Sequence, residues 1–171
     1  MEVILRWWRL SDAVVLSQIL NNRKILDNLR DGLPYPYTLR DARWYIDSML
    51  GSDKDDVFAY AVEYCGKLAG SIGVFRQENI HSRTAELGYY IGEEYWNKGV
   101  ATQAVKQICK YVFDNSDIVR IYAEPFARNI ASCRVLEKAG FEYEGTLKAN
   151  AVKNGVIEDM KMYAIIKDER I

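Results

Sequence analysis

The constraint that narrows this chain most is a strand, helix, strand succession punctuated by one glycine turn. Thr84 to Ile91 is β-rich. The run Tyr95-Trp96-Asn97-Lys98-Gly99-Val100-Ala101-Thr102 follows it, and from there Ala101, Ala104, Val105, Ile108, Val112 and Phe113 recur at helical spacing to about Asp114. Val119 to Ala123 is again short and β-rich. Two strands joined through a helix pair parallel through a right-handed crossover, so the turn at Gly99 opens a crossover helix beside a sheet. A glycine-bearing turn at a helix start presents unpaired N–H groups at the positive end of the helix dipole. That makes it an anion cradle that needs no basic side chain.

The remaining elements are predicted from the same periodicities. Val3 to Arg9 reads as a strand, Ser11 or Asp12 caps a helix through about Asn21, and Asp41 to Leu50 is a second amphipathic helix. Between these helices, Gly32-Leu33-Pro34-Tyr35-Pro36-Tyr37-Thr38 is an extended, semi-rigid loop, either a connector or a substrate-facing wall, with Thr38 as the next cap. Val57 to Cys65 and Lys67 to Arg76 form a hairpin around Gly66, and a turn near Asn79 to Arg83 leads to Thr84, which gives three consecutive antiparallel strands. Ile130 to Ala139 is helical with Gly140 as its stop. Tyr143 to Val152 and Val156 to Ile166 flank Asn154-Gly155, a strong hairpin signal. The expected class is α+β with a mixed central sheet, in a single domain over residues 1–171, without repeats or linkers.

Composition excludes several functions. Lys and Arg total 23 against 24 for Asp and Glu, a net charge of −1, which argues against binding nucleic acid through its field. Cys65, Cys109 and Cys133 are too few and too scattered for a disulfide framework, and with one histidine they make no zinc site; a reducing cytoplasm is expected. Arg6, Arg9 and Asp12 interrupt the apolar N-terminal run before a signal-peptide core forms, and no window reaches a membrane-spanning length.

A second motif narrows the cradle's ligand. Asn129-x-x-Ser132-x-x-x-x-Glu137-Lys138-x-Gly140-Phe141, with Trp96-Asn97-Lys98-Gly99-Val100-Ala101 upstream, resembles the GNAT N-acetyltransferases, specifically the RimJ/RimL-like branch of ribosomal-protein and small-amine acetyltransferases. The resemblance runs from about Arg6 to Ile166. It implies a mixed, mostly antiparallel sheet of about six to seven strands flanked by helices, with a splayed parallel pair forming an acetyl-CoA cleft. The first fixed position departs from the family, because Trp96 stands where Gln or Arg is common, so the loop must rely on backbone amides and on the Lys98 charge. By resemblance, acetyl-CoA, with no metal, is held by Tyr89, Tyr90, Ile91, Asn97, Lys98, Gly99, Val100, Ala101, Thr102, Asn129 and Ser132. The first three would act mainly through their backbone. Asn129 is open to a second reading as an ordinary helix cap.

Acetyl transfer needs a neutral amine, so a carboxylate near the acceptor must take its proton. Glu86 is the candidate, because related enzymes often carry a glutamate at the equivalent strand position. Alternation puts Glu86, Gly88 and Tyr90 on one face and Leu87, Tyr89 and Ile91 on the other, so Glu86 acts only if the first face meets the cleft. Many relatives protonate the departing thiolate with a tyrosine four residues before the glycine of the Gly-Phe pair. That position is Leu136, which leaves Ser132 as the hydrogen-bond donor, with Tyr143 or another of the 12 tyrosines as substitutes.

Asn129, Ser132, Cys133 and Leu136 share one helix face by spacing, but Cys133 has no histidine to activate it and His81 falls in a loop. Lys98, Lys106 and Lys110 either steer phosphates or are simply solvated. Trp7, Trp8, Tyr35, Tyr37 and Trp44 are candidates for the acceptor pocket. The acceptor is a small molecule or a protein N-terminus: a polyamine, an antibiotic amine and an amino acid all remain open, as does a homodimer. The rival functions are a catalytically silent coenzyme A sensor or scaffold and a small nucleotide-binding module. The missing G-x-x-x-x-G-K-[ST] and G-x-G-x-x-G spacings count against the module.

Overall fold

The computed structural model describes residues 2–168; Met1 and residues 169–171 of the expected domain lie outside the described residues. Seven strands form one sheet in the order β1-β2-β3-β4-β5-β7-β6. They are β1 (Val3–Arg6), β2 (Val57–Tyr64), β3 (Lys67–Arg76), β4 (Thr84–Ile91), β5 (Arg120–Ala123), β6 (Glu142–Lys153) and β7 (Val156–Ile166). The helices are α1 (Ala13–Leu20), α2 (Arg23–Leu26), α3 (Leu39–Leu50), α4 (Val100–Asn115) and α5 (Ile130–Lys138). Among the described residues only β4 and β5 pair in parallel, joined by α4 as the crossover. This is the mixed, mostly antiparallel sheet that the sequence predicts.

Local chemistry sets the joints. Cys65 and Gly66 (φ 51° and 76°) and Asn154 and Gly155 (φ 51° and 76°) place two successive residues at positive φ, the geometry of a tight type I′ hairpin. Thr38 and Asp41 cap α3 reciprocally: the Asp41 N–H donates to Thr38 Oγ1 at 3.2 Å and the Thr38 N–H donates to Asp41 Oδ2 at 2.8 Å. Two boundaries differ from expectation. β1 stops at Arg6 instead of Arg9, because Arg6 turns to Asp12 (2.9 Å) and Glu63 (2.7 Å) and the indole of Trp8 enters the core. The single turn α2 was not foreseen; four residues are too few for a periodic signal, and Asn22 caps it by accepting from Lys24 N at 2.9 Å.

Each face of the sheet carries its own core. Ala85, Leu87 and Ile91 of β4 pack with Val100, Val105 and Ile108 of α4 and Leu136 of α5, and Tyr89 joins them. The opposite face packs on α1, α2 and α3 through Leu16, Leu20, Ile25 and Ile46, and Tyr90 joins that cluster. β4 is therefore a partition one strand thick, with odd positions toward α4 and α5 and even positions toward α1 and α3.

Candidate active site

The β4–β5 ladder ends early. Its register covers Thr84↔Arg120, Ala85↔Ile121 and Glu86↔Tyr122, after which β4 runs on to Ile91 paired with β3 on one edge and with no strand on the other. The strands fork at Glu86. A cleft of about 1310 Å³ occupies the fork, and it reaches from the Gly99 turn past Ser132 and Glu86 to Tyr37 and Leu20. The two sequence motifs thus meet in one chamber.

At the cradle, Gly99 (φ 75°) precedes α4 and Asn97 (φ 59°) shares the left-handed region, so the chain turns sharply and aims its amides outward. Gln103 N–H bonds back to Gly99 O at 3.1 Å, so the helix-start amides before it lack an intrahelical acceptor. A Cβ on Gly99 would meet nothing closer than Gln103 Nε2 at 3.8 Å; its φ, not crowding, demands glycine. These features fit an anionic ligand. Trp96 lines the cleft and donates its indole N–H to Ile91 O at 2.7 Å, which ties the turn to the end of β4. Lys98 is turned out of the cleft. Its Nζ donates to Glu94 O at 2.8 Å and lies 5.8 Å from the Tyr95 ring centroid, which leaves main-chain amides to meet the anion.

On the α5 side, Asn129 Oδ1 accepts from Ser132 N at 3.2 Å, an ordinary helix cap, while Asn129 also lines the cleft; both readings of this residue hold. Ser132 Oγ lies 2.7 Å from the Tyr89 hydroxyl. Burial pushes the Tyr89 phenol up to about 12, against the lowering effect of the Ser132 bond, so it stays protonated across the neutral range and can donate. The resemblance gives Tyr89 mainly a backbone role. Its place on the α5-facing side of β4 was the available signal. Cys133 and Leu136 do not share the cleft with Ser132: both are buried in the core, since a helix this short turns one side to the sheet.

Glu86 faces the cleft on the other side of β4, 22% exposed, and accepts from the Tyr122 hydroxyl at 3.1 Å. Arg30 pairs closely with Glu86 and lies 3.4 Å from Glu124 Oε2. Burial and the Glu86 charge raise Glu124, partly offset by Arg30, while burial and the same carboxylates push Tyr122 up to about 12. Arg30, Glu124 and Tyr122 were missed, since no motif links positions so far apart in the chain. The floor beyond Glu86 is bare at Gly88, where a Cβ would meet nothing within 4 Å; its partner Gly73 is covered by the Phe75 ring, 2.7 Å from where a Cβ would stand. Past it, Ser71 pairs with Tyr90, and the Tyr45 hydroxyl lies 3.3 Å from Ser71 Oγ.

Of the aromatic residues expected at the acceptor pocket, only Tyr37 lines the cleft, buried at 3% exposure. The others are corrections. Trp44 is 72% exposed, because α3 buries Ala42 and Ile46 and turns position 44 outward. Tyr35 is exposed with Arg23 stacked at 4.5 Å, Trp7 rests on Tyr60 at 5.0 Å, and Trp8 is a core residue. Tyr143 bonds to Thr146 at 2.6 Å, outside the cleft. His81 sits on an exposed turn, Lys106 is solvated and Lys110 pairs with Asp114 at 2.6 Å.

Known proteins agree with this geometry. Residues 2–142 match the acetyltransferase (GNAT) domain family. A probable N-acetyltransferase of Bacillus subtilis, YjcK, is 34% identical over 119 residues, 68% of this chain and just under two thirds (66%) of that protein. An uncharacterized N-acetyltransferase of Bacillus licheniformis, p20, is 27% identical over 172 residues, 98% of this chain and 94% of its own. Among solved structures, RimL, a ribosomal L7/L12 alpha-N-protein acetyltransferase in complex with coenzyme A, superposes with a TM-score of 0.86 at 25% identity, covering 97% of this chain and 94% of RimL. The chain belongs to the GNAT family of acetyl-CoA-dependent N-acetyltransferases. No helix among the described residues is long and apolar enough to cross a membrane.

Proposed function

We propose that this chain, as one domain, moves an acetyl group to a primary amine by direct attack, with Glu86 and Ser132 as its catalytic residues. The observation that supports this best is the single chamber at the fork, where Glu86 looks in from one face of β4 and the Tyr89–Ser132 pair from the other. Acetyl-CoA supplies the activated acetyl group. Main-chain amides from Asn97 to Thr102 would hold its pyrophosphate, with Tyr89, Tyr90, Ile91 and Asn129 along its arm. Glu86, directly or through one water, takes the proton of the incoming ammonium; the freed nitrogen forms the C–N bond as the C–S bond breaks, and the second proton that it sheds in becoming an amide goes to the departing thiolate. Ser132 and Tyr89, the latter a protonated phenol, donate to the departing sulfur. Tyr37 lies on the acceptor side.

An amine panel scored for acetyl-CoA-dependent thiol release tests the assignment, repeated with Glu86→Gln and Ser132→Ala. Turnover should fall in both while acetyl-CoA binding persists. Normal rates in both variants would refute the roles.

A further inference from the structure

Arg30 sits where a substrate's cation would sit. It lies between α2 and the loop that leads to α3, and its guanidinium bridges Glu86 of β4 and Glu124, which directly follows β5. It therefore spans the fork on the acceptor side. The Arg30 side chain is 63% exposed, while those of Glu86 and Glu124 are 22% and 20% exposed. The carboxylates are the fixed members and the cation is the removable one. The residues flanking Arg30 have partners of their own: Arg128 donates to Asp27 O and to the Asn28 side-chain Oδ1, both at 2.7 Å, and Lys153 Nζ donates to the Asp31 side-chain Oδ1 at 2.9 Å. The guanidinium can leave without the segment moving. Arg30, Asp31 and Glu124 also border a smaller cavity of about 290 Å³ behind the main cleft, lined further by Asn150 and Lys153.

The electrostatics then constrain the occupant. Without Arg30, two part-buried carboxylates face one another uncompensated, an arrangement that low-dielectric surroundings penalise. An incoming ammonium restores the balance only until it reacts, because the attacking nitrogen must give up its proton. A second positive group on the acceptor keeps Glu124 paired through the reaction.

We propose that Glu86 and Glu124 form a cation seat for the acceptor, that Arg30 fills this seat until the acceptor displaces it, and that the acceptor is an amine bearing a second positive charge held at Glu124. This rests on the acetyl-acceptor reading above and names its substrate class. Glu124 is thereby a specificity-determining residue, and Arg30 a built-in competitor.

The test is calorimetric titration of the full chain, loaded with coenzyme A, with diaminopropane, diaminobutane and diaminohexane, each against the monoamine of the same chain length. Thiol release from acetyl-CoA is measured in parallel. At least one diamine should bind about tenfold or more tightly than its monoamine, as expected for one charge-assisted contact. Glu124→Gln should erase that preference, and Arg30→Gln should lower the diamine KM without raising kcat. An unchanged shift in Tm on adding coenzyme A verifies that each variant is folded. Equal binding of both amine types, a preference that survives Glu124→Gln, or weaker diamine binding by Arg30→Gln overturns the proposal. Diamine binding in the expected pattern with no thiol release from any amine leaves the seat standing and sinks the transferase reading. Release with monoamines alone does the reverse.

Discussion

The Tyr89 hydroxyl and Ser132 Oγ lie 2.7 Å apart, and they join β4 to α5 across the cleft. Each orients the other, so on the proposed mechanism neither acts alone on a departing sulfur. Ser132→Ala and Tyr89→Phe should each lower kcat by roughly a hundredfold with little change in the KM for acetyl-CoA. The double variant should cost far less than the product of the two, as for groups that act as a unit. Steady-state kinetics on the three variants measures this; fully multiplicative losses would show that the two hydroxyls work independently.

Glu86→Gln keeps the shape of the side chain and an acceptor for the Tyr122 hydroxyl, but removes the base. A fall in kcat of about a hundredfold is expected, with the thermal shift on adding coenzyme A preserved. If the shift vanished with the activity, Glu86 would be a residue of the cofactor arm.

Gly99 and Gly88 should separate the two ligands. Gly99→Ala forces a side chain into φ 75°, at about 1–2 kcal/mol of strain, and the strain falls on the cradle, so the Kd for coenzyme A should rise. Gly88 has no positive φ and its added Cβ would meet nothing within 4 Å, so Gly88→Ala should fold normally and raise only the KM for the amine. Calorimetry with coenzyme A on both variants decides; weaker cofactor binding by Gly88→Ala would count against the bare acceptor floor.

Asp12 carries a prediction about stability. Burial alone would raise its pKa, but the Arg6 side chain, the Arg9 N–H and the charges of both arginines outweigh that and hold it below its usual 3.8. A depressed carboxylate adds stability that is present above its unfolded value and is lost as pH falls through its folded one, here below about pH 4. Asp12→Asn should cost about 2 kcal/mol at pH 7, since Arg6 keeps Glu63 but loses its other charged partner, and should flatten the loss of stability below pH 4. Urea melts across that range check it. A variant whose acid limb matches the parent's would assign the loss to other carboxylates.

What could be read from the chain was local. The Asn154-Gly155 turn, the Thr38 cap and Gly99 need only neighbours to specify them, and alternation alone sorts Glu86 and Tyr90 from Leu87 and Tyr89. The acceptor side was opaque for the opposite reason. Arg30 meets Glu124 only because α2, β5 and the β6–β7 hairpin converge, and no spacing encodes that meeting. The aromatic residues misled because composition carries no direction: Trp44 and Tyr37 looked equivalent until helix period turned one to water and packing turned the other inward.

Because β4 presents alternate residues to two faces, its residue count matters as well as its chemistry. One residue gained or lost between Glu86 and Tyr90 would rotate everything beyond it by half a turn, sending the Tyr89 phenol toward α1 and α3 and the Tyr90 ring toward Ser132. A substitution at any one of these positions spoils one face; a deletion exchanges both. The length of the interval therefore constrains both faces of the strand at once.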